Sequence, residues 1–382
     1  MFVIKARRQR IEQIDLLRAS AIFAILLVNI FAFALPELAY VNPVYIASTT
    51  AGDIWCWVFL NIFVQGKFLA IFSLLFGASF EFLSKQGLYW NQIRLFVLAI
   101  IGLLHGIGLW DGDILLPYAL TGLLAIKFIH FNNTRQLYYK SIVIYLSGLI
   151  IFGSFSYFTD VSSFWYPAEN DFTNEINIKI AGGWKALLYR AESVAQRLIM
   201  LVIDYGWQLL ALMMAGAALV RIGWLTGNFS LFHYRYVAYW TIPLTIFIQL
   251  CSIAIQYYYD WSYIVTGLLG FIINQIIIPV QVIGYIAIIY GFWPQIKNIF
   301  IIKWLQSVGR MALTSYLLQT LICTTIFYRF GFFAQFGRLA LLSFVPLIWF
   351  INIIFAISWL KYFKQGPIEW LWRYLTNKFA TC

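Results

Sequence analysis

The sequence predicts an all-α polytopic membrane protein of about ten transmembrane helices, with both termini cytoplasmic and amphipathic helices added at the interfaces. Three observations predict it. The 382 residues are 62% hydrophobic and only 11% charged, where soluble domains carry about 25% charged residues. Apolar runs near the ~20 residues that a bilayer requires recur along the whole chain. Lysine and arginine collect on alternate connections, which is the asymmetry of cytoplasmic loops.

The runs lie near 15–35, 54–82, 93–110, 113–130, 138–158, 203–221, 236–257, 263–292, 312–329 and 340–361. The third and fourth are short, and the second and eighth are long enough to tilt, kink or break. We read 1–382 as one integral membrane domain. Within it, 1–158 holds five spans and an acidic hairpin, 159–202 an outer loop, 203–361 five more spans and 362–382 a cytoplasmic tail. With the N-terminus inside, the inner segments collect Lys5, Arg7, Arg8, Arg10, Lys85, Arg94, Lys127, Arg135, Lys140, Arg221 and Arg235, and later Lys297, Lys303, Arg310, Lys361, Lys364, Arg373 and Lys378. The outer segments 36–53, 110–113 and 258–262 hold none, and only 159–202 and the turn with Arg329 and Arg338 break the pattern. The net charge of +11 is spread over these loops, so it points to membrane orientation and not to nucleic acid. The basic start and the apolar run after it offer no cleavage site and read as a first span. Cys56, Cys251, Cys323 and Cys382 have neither metal nor disulfide spacing.

In the first span, Arg18 and Asn29 are eleven residues apart, about three turns, and so share a face. Asp15 sits one turn from Arg18 and is placed to pair with it. Asn29 reads either as a cross-link between helices or as part of a polar pathway. Lys67 falls within the second span, in the outer half by residue counting. It either snorkels outward or needs a partner in the bundle, for which Asp111, Asp113 and His105 are the candidates at similar depth.

Segment 94–122, RLFVLAIIGLLHGIGLWDGDILLPYALTG, reads as two helices joined by a very short acidic turn. An ionisable group inside a span is costly and marks a candidate site. His105 lies near mid-membrane by counting from Arg94, flanked by Gly102, Gly106 and Gly108, which let another helix approach. Imidazole suits proton transfer near neutral pH. A lone histidine that hydrogen-bonds across the bundle is the alternative. Asp113 is placed to N-cap the fourth span, and Tyr118 to face the same cavity as His105. Together His105, Lys67, Asp111 and Asp113 are expected to line one outward-opening cavity between the second, third and fourth spans.

Further on, Trp184, Leu187, Leu188, Ala191, Val194, Ala195, Leu198 and Ile199 repeat at helical spacing, which predicts an amphipathic helix on the outer surface. Asp204, Gln208, Asn274, Gln275 and Gln281 are polar groups within spans, and Pro279 bends the eighth. VGRMALTSYLLQT, 308–320, places Arg310 at the inner boundary and Gln319 deeper. The tail GPIEWLWRYLTNKF, 366–379, predicts a cytoplasmic interfacial helix with Glu369 and Arg373 as an i,i+4 pair.

IDLLRASAIFAILLVNI, KFLAIFSLLFGASF, the hairpin with GDILLPYALTG, VGRMALTSYLLQT and GPIEWLWRYLT resemble, in order and over essentially the whole chain, the signatures of the YeiB-type family of bacterial inner-membrane proteins. Ala19–Ser20 departs from a glycine expected after the arginine of the first motif. The resemblance implies a multi-pass protein of the bacterial inner membrane. It also implies a distant likeness to the transmembrane acyl transferase superfamily, whose members include the lysosomal heparan-alpha-glucosaminide acetyltransferase and bacterial enzymes that O-acetylate surface glycans. Those relatives move an acyl group from a cytoplasmic acyl-CoA to an acceptor across the membrane. The glucosaminide enzyme uses a histidine in the outer loop after the first span; here 36–52 has none, so that role does not transfer to His105.

Two classes follow. In a membrane acyltransferase, His105 is the general base, Asp111 or Asp113 orients it or binds the acceptor, and Arg18, Arg94 and Arg310 hold the phosphates of an acyl-CoA. The acceptor is a small molecule, lipid or glycan. In a proton-coupled transporter of a small amphiphilic solute, Lys67, His105, Asp111 and Asp113 form the pathway, lined by Asn29, Tyr118 and Gln319. A non-catalytic lipid-binding protein leaves the acidic hairpin without a reason. His105, His130 and His233 lack clustered spacing, so no metal is expected.

Overall fold

The computed structural model describes residues 10–45, 49–159, 165 and 169–381. Lys5, Arg7, Arg8 and Cys382 lie outside them. The chain is an all-helical polytopic membrane protein, and among the described residues no strand is present. Among the described residues, seven helices are long and apolar enough to cross a membrane, or eight when a pair bent by 88° is taken as one. Shorter apolar helices Leu115–Phe131 and Gly206–Arg221 accompany them.

The helices that matter for the site are α1 (Glu12–Ala34), α2 (Ala51–Phe63), α3 (Lys67–Phe82), α4 (Leu88–Gly108) and α5 (Leu115–Phe131). α6 (Thr134–Phe158) is followed by the amphipathic pair α7 (Glu169–Ala181) and α8 (Gly183–Met200). Then come α9 (Gly206–Arg221), α10 (Leu231–Tyr258), α11 (Phe271–Gly291), α12 (Phe300–Arg310), α13 (Ala312–Thr324), α14 (Phe344–Tyr362) and the tail helix α15 (Pro367–Ala380). Both long runs depart from a plain α-helix. The second is interrupted between α2 and α3 at Val64–Gly66, and the eighth begins as a π-helix over Tyr263–Gly270 before α11.

Burial separates the centre from the rim. In α1, 72% of the most apolar stretch is buried, against 28% in α6, α10 and the helix ending at Tyr362. Ile150, Phe247 and Phe350 on those outer helices stay exposed, as lipid-facing side chains do. One core joins α1 to α13 and α14, and a second joins α3, α9 and α11. α3 and α9 approach closely because Gly77 and Gly216 face each other's backbones; a Cβ on Gly77 would lie 1.8 Å from the Met213 carbonyl oxygen. With little hydrophobic drive between helices in lipid, such close packing is what holds them.

The bundle has two ends. At the terminal end, α15 lies across α4, with the Trp372 indole donating to the Arg94 carbonyl at 2.7 Å. Glu369 does not pair with Arg373. Its carboxylate accepts instead from the Thr314 backbone N–H and hydroxyl, because those donors at the start of α13 have no helical partner. At the hairpin end, α8 packs on α4.

The basic residues that break the loop pattern there are built into the structure. Arg338 is 0% exposed and donates to the carbonyls of Ala39, Asn42 and Pro43. Lys179 pairs with Glu175, Arg197 with Glu37, and Arg190 donates to the Ile107 carbonyl.

Candidate functional site

α4 ends at Gly108, so His105 lies in its last turn and not near mid-helix. Counting from Arg94 placed it deeper because α4 begins six residues earlier, at Leu88. Six further residues carry the chain through the turn to Leu115. The turn returns Asp113 to the side of α4, where its Oδ1 sits 2.7 Å from His105 Nδ1. Asp113 Oδ2 accepts from the Leu116 N–H at 2.8 Å. One oxygen of Asp113 thus holds the imidazole and the other caps the first turn of α5.

Gly102 makes this fit. A Cβ there would meet the Leu116 nitrogen at 2.4 Å and Asp113 Oδ2 at 3.0 Å. Gly106 faces another helix, as its spacing predicts. Val194 of α8 would be 3.1 Å from its Cβ.

His105 is 4% exposed, and its Nε2 is buried with no hydrogen-bond partner among the described residues. Nδ1–H held by a carboxylate leaves Nε2 as the lone-pair nitrogen, the arrangement of a general base. The other wall is α13. The Tyr316 ring lies 5.3 Å from the imidazole, and its hydroxyl accepts from the Ile114 N–H at 3.4 Å. Gln319 follows three residues later on the same face, buried, with Nε2 also unpartnered. Sequence reading named Gln319 and missed Tyr316, although both stand in TSYLLQT. A buried tyrosine in a polar stretch of a span was the available signal.

Asp111, two residues from Asp113, makes no hydrogen bond or ion pair to His105. It is buried among electrostatic neighbours Lys179, Arg190 and Arg197 of the amphipathic pair. Beside them opens a cavity of about 320 Å³ lined by Glu37, Tyr189, Glu192, Arg197, Asp204 and Tyr205. Asp204, read from sequence as lying within a span, stands in the turn before α9, and burial pushes its carboxyl up to about 6, opposed by Arg197 and reinforced by Glu37. Burial likewise pushes the Tyr40 phenol up to about 12.

Lys67 belongs elsewhere. It is 0% exposed and, among the described residues, pairs with no carboxylate. Its Nζ donates to the Asn61 carbonyl at 2.5 Å and to Asn274 Oδ1 at 2.6 Å. The expected pairing with the hairpin acids is thus replaced by neutral oxygens of α2 and α11, and the expected single cavity divides into two centres. Tyr118 is also turned away from the cavity. Its hydroxyl donates to the Leu69 carbonyl at 2.8 Å and lies 2.7 Å from Ser73 Oγ, tying α5 to α3.

At the terminal end the three arginines named from sequence converge. Asp15 pairs with Arg10 and, at 3.9 Å, with Arg18. Arg18 is an electrostatic neighbour of Arg94, and Arg310 of Arg10 and Asp15. The Arg94 guanidinium stacks 4.3 Å from the Trp372 ring. Arg94 Nη1 and Arg310 Nε are buried donors without an acceptor among the described residues. Asn29, higher on α1, is half-buried and has no side-chain hydrogen bond among the described residues. Among the described residues no group of His, Cys, Asp and Glu is arranged to hold a metal ion.

Comparison with known proteins bears on the whole chain. It is 43% identical over 375 residues to the uncharacterized protein YeiB of Escherichia coli K12, covering 97% of each chain. The chain belongs to the YeiB family. Residues 219–378 match the family model described as a protein of unknown function, DUF418. Within the family's wider reach, the uncharacterized protein YxaH of Bacillus subtilis 168 is 26% identical over 405 residues, covering 96% of this chain and 94% of its own. An uncharacterized 39.9 kDa protein of Bacillus acidopullulyticus is 26% identical over 383 residues, with 96% and 94% covered. No solved structure matches the chain.

Proposed function

We propose that this YeiB-family protein is a membrane-embedded acyltransferase that moves an acyl group from a cytoplasmic acyl donor to an acceptor at the outer side of the bacterial inner membrane. The observation that carries the reading is the His105–Asp113 pair with a free, buried Nε2. His105 Nε2 takes the proton of the acceptor hydroxyl or amine as that atom attacks the thioester carbonyl, and the imidazolium gives the proton to the sulfur as the C–S bond breaks and the free thiol leaves. Asp113 fixes the Nδ1–H tautomer and stabilises the imidazolium that forms. Tyr316, against the imidazole, holds the ring in place. Asp111 and the cavity under α7 and α8 hold the acceptor, a small molecule, lipid or glycan.

An acyl-CoA supplies the acyl group as a thioester. Arg18, Arg94 and Arg310 fit its phosphates, because Arg94 Nη1 and Arg310 Nε are buried donors with no acceptor among the described residues. Arg94 and His105 stand on one helix, eleven residues or ~16 Å apart, with Asn29 and Gln319 as polar groups for the path between.

The orientation in this reading is N-in and C-in with ten passes, counting the short helices α5 and α9. Cysteines placed in 36–53 are expected to label from outside intact cells, and tail cysteines only after permeabilisation. Purified protein in nanodiscs is expected to bind acetyl-CoA and to release free thiol when a suitable acceptor is supplied. His105→Ala is expected to keep the binding and lose the release. Absence of acyl-CoA binding by the parent protein overturns the reading.

One observation favours a second reading, a proton-coupled transporter. The second span is broken beside buried amides and Lys67, as substrate and ion sites of transporters are. Proton-linked solute flux without consumption of acyl-CoA would establish it.

A further inference from the structure

The break between α2 and α3 leaves the carbonyls at the end of α2 without helical partners, deep in a bundle where each must find one. Gly66 makes the reversal, with φ of +79°, a conformation open to glycine at no steric cost. Side chains from distant helices then take up the carbonyls. Gln281 Nε2 donates to Ile62 at 3.1 Å, the Tyr285 hydroxyl to Phe63 at 3.0 Å, and Lys67 Nζ to Asn61 at 2.5 Å.

Gln249 decides the character of the centre. With its amide oriented so that Nε2 donates to the Ile62 carbonyl at 2.7 Å, Oε1 lies 2.8 Å from Lys67 Nζ and 3.0 Å from Asn274 Oδ1. The opposite orientation keeps a 3.0 Å bond from Nε2 to Asn274. It also brings an NH₂ against the ammonium and an oxygen against the Ile62 carbonyl, so the first orientation is the consistent one. Two amide oxygens then stand 3.0 Å apart with no hydrogen between them. A positive charge bonded to both makes that contact favourable. The ammonium's three donors are met by three oxygens, Asn61 O, Asn274 Oδ1 and Gln249 Oε1.

We propose that the oxygen cage of Asn61, Gln249 and Asn274 is a monovalent-cation site whose cation the chain supplies itself, as the Lys67 ammonium. The donors are all neutral carbonyl oxygens. A divalent ion would call for carboxylates, whereas helix-break carbonyls and amides are the ligands that hold a single charge at an unwound span. The negative end of the α2 dipole points into the same cage. The tethered ammonium locks the broken span, and no free sodium or potassium is needed to hold it. This holds whichever reaction the His105 centre performs.

The test is thermal unfolding of the purified full chain in equal concentrations of NaCl, KCl or N-methylglucamine chloride. The parent protein is expected to unfold at the same temperature in all three. Lys67→Ala, which opens room for an ion, is expected to unfold several degrees lower in N-methylglucamine and to recover saturably with sodium or potassium. Lys67→Met fills the space without charge and is expected to be destabilised without recovery. Indifference of Lys67→Ala to the small cations overturns the proposal, as does equal cation dependence in the parent.

Should Lys67→Ala fail to accumulate, Asn274→Asp with Lys67 retained still decides. A carboxylate against a charged ammonium is expected to leave the unfolding temperature unchanged or raised. A fall shows that no cation is held there.

Discussion

His105 and Lys67 are both ionisable side chains enclosed by the helices, and they are enclosed in opposite ways. The imidazole has a carboxylate on one nitrogen and, among the described residues, no hydrogen-bond partner on the other. The ammonium has oxygen on every donor and no carboxylate within pairing distance. A buried group with one unsatisfied atom is held ready for a reacting partner, whereas one with every bond made is held for structure. The two centres also differ in place. His105 sits one turn from a helix end under the amphipathic pair α7–α8; Lys67 sits inside a broken span, sealed by α10 and α11.

The contrast predicts opposite responses to removal. His105→Ala is expected to lower acyl transfer by about 10²–10⁴, the range for a general base, while the protein still purifies folded. Steady-state turnover and size-exclusion profiles check this. Unchanged turnover would place His105 with Lys67 as a structural group. Asp113→Asn sharpens the same point. The amide keeps an acceptor for the Leu116 N–H but loses the charge that stabilises imidazolium, so turnover is expected to fall about 10²-fold with acyl-CoA affinity unchanged.

Removal of the ammonium acts on stability. Lys67→Met leaves oxygens of α2, α10 and α11 without a donor, at about 1–3 kcal/mol for each buried group left unpaired. Chemical denaturation in detergent is expected to show that loss without a change in acyl-CoA binding.

Gly106→Leu tests the roof of the His105 centre. Its side chain meets Val194, already 3.1 Å from a Cβ, and overpacking of this kind costs about 1–3 kcal/mol. Separation of α8 from α4 is expected to expose His105, read as faster modification of the imidazole by diethyl pyrocarbonate. Normal stability and protection would mean that α8 does not cover it.

The smallest effect is electrostatic. Burial raises the Asp204 carboxyl from 3.8 to about 6, so between those values the folded state binds more protons than the unfolded state. Stability is therefore lost as pH rises through that window. Asp204→Asn is expected to unfold at a higher temperature than the parent near neutral pH, with the difference vanishing below the window.

What the sequence determined by itself was local. Hydropathy and helical period gave the all-helical membrane class, the two runs too long for a plain span, the amphipathic α8 and the tail helix. The short acidic turn made α4 and α5 antiparallel neighbours, which brought Asp113 back to His105. Each of these follows from residues within a few turns of one another, where geometry is set by the helix itself.

What only the tertiary structure decided was which distant side chain meets which. Lys67 is 207 residues from Asn274, and any of several buried amides or acids was chemically equivalent as its partner. Tyr316 came to His105 because α13 packs on α1. Which helices are central was equally hidden, since in lipid a side chain facing the bundle and one facing the bilayer are both apolar. Even Arg338, a topological exception in the sequence, became a clamp on 39–43 only once the chain had folded around it. Hydropathy selects the solvent; it does not distinguish among neighbours that offer the same chemistry.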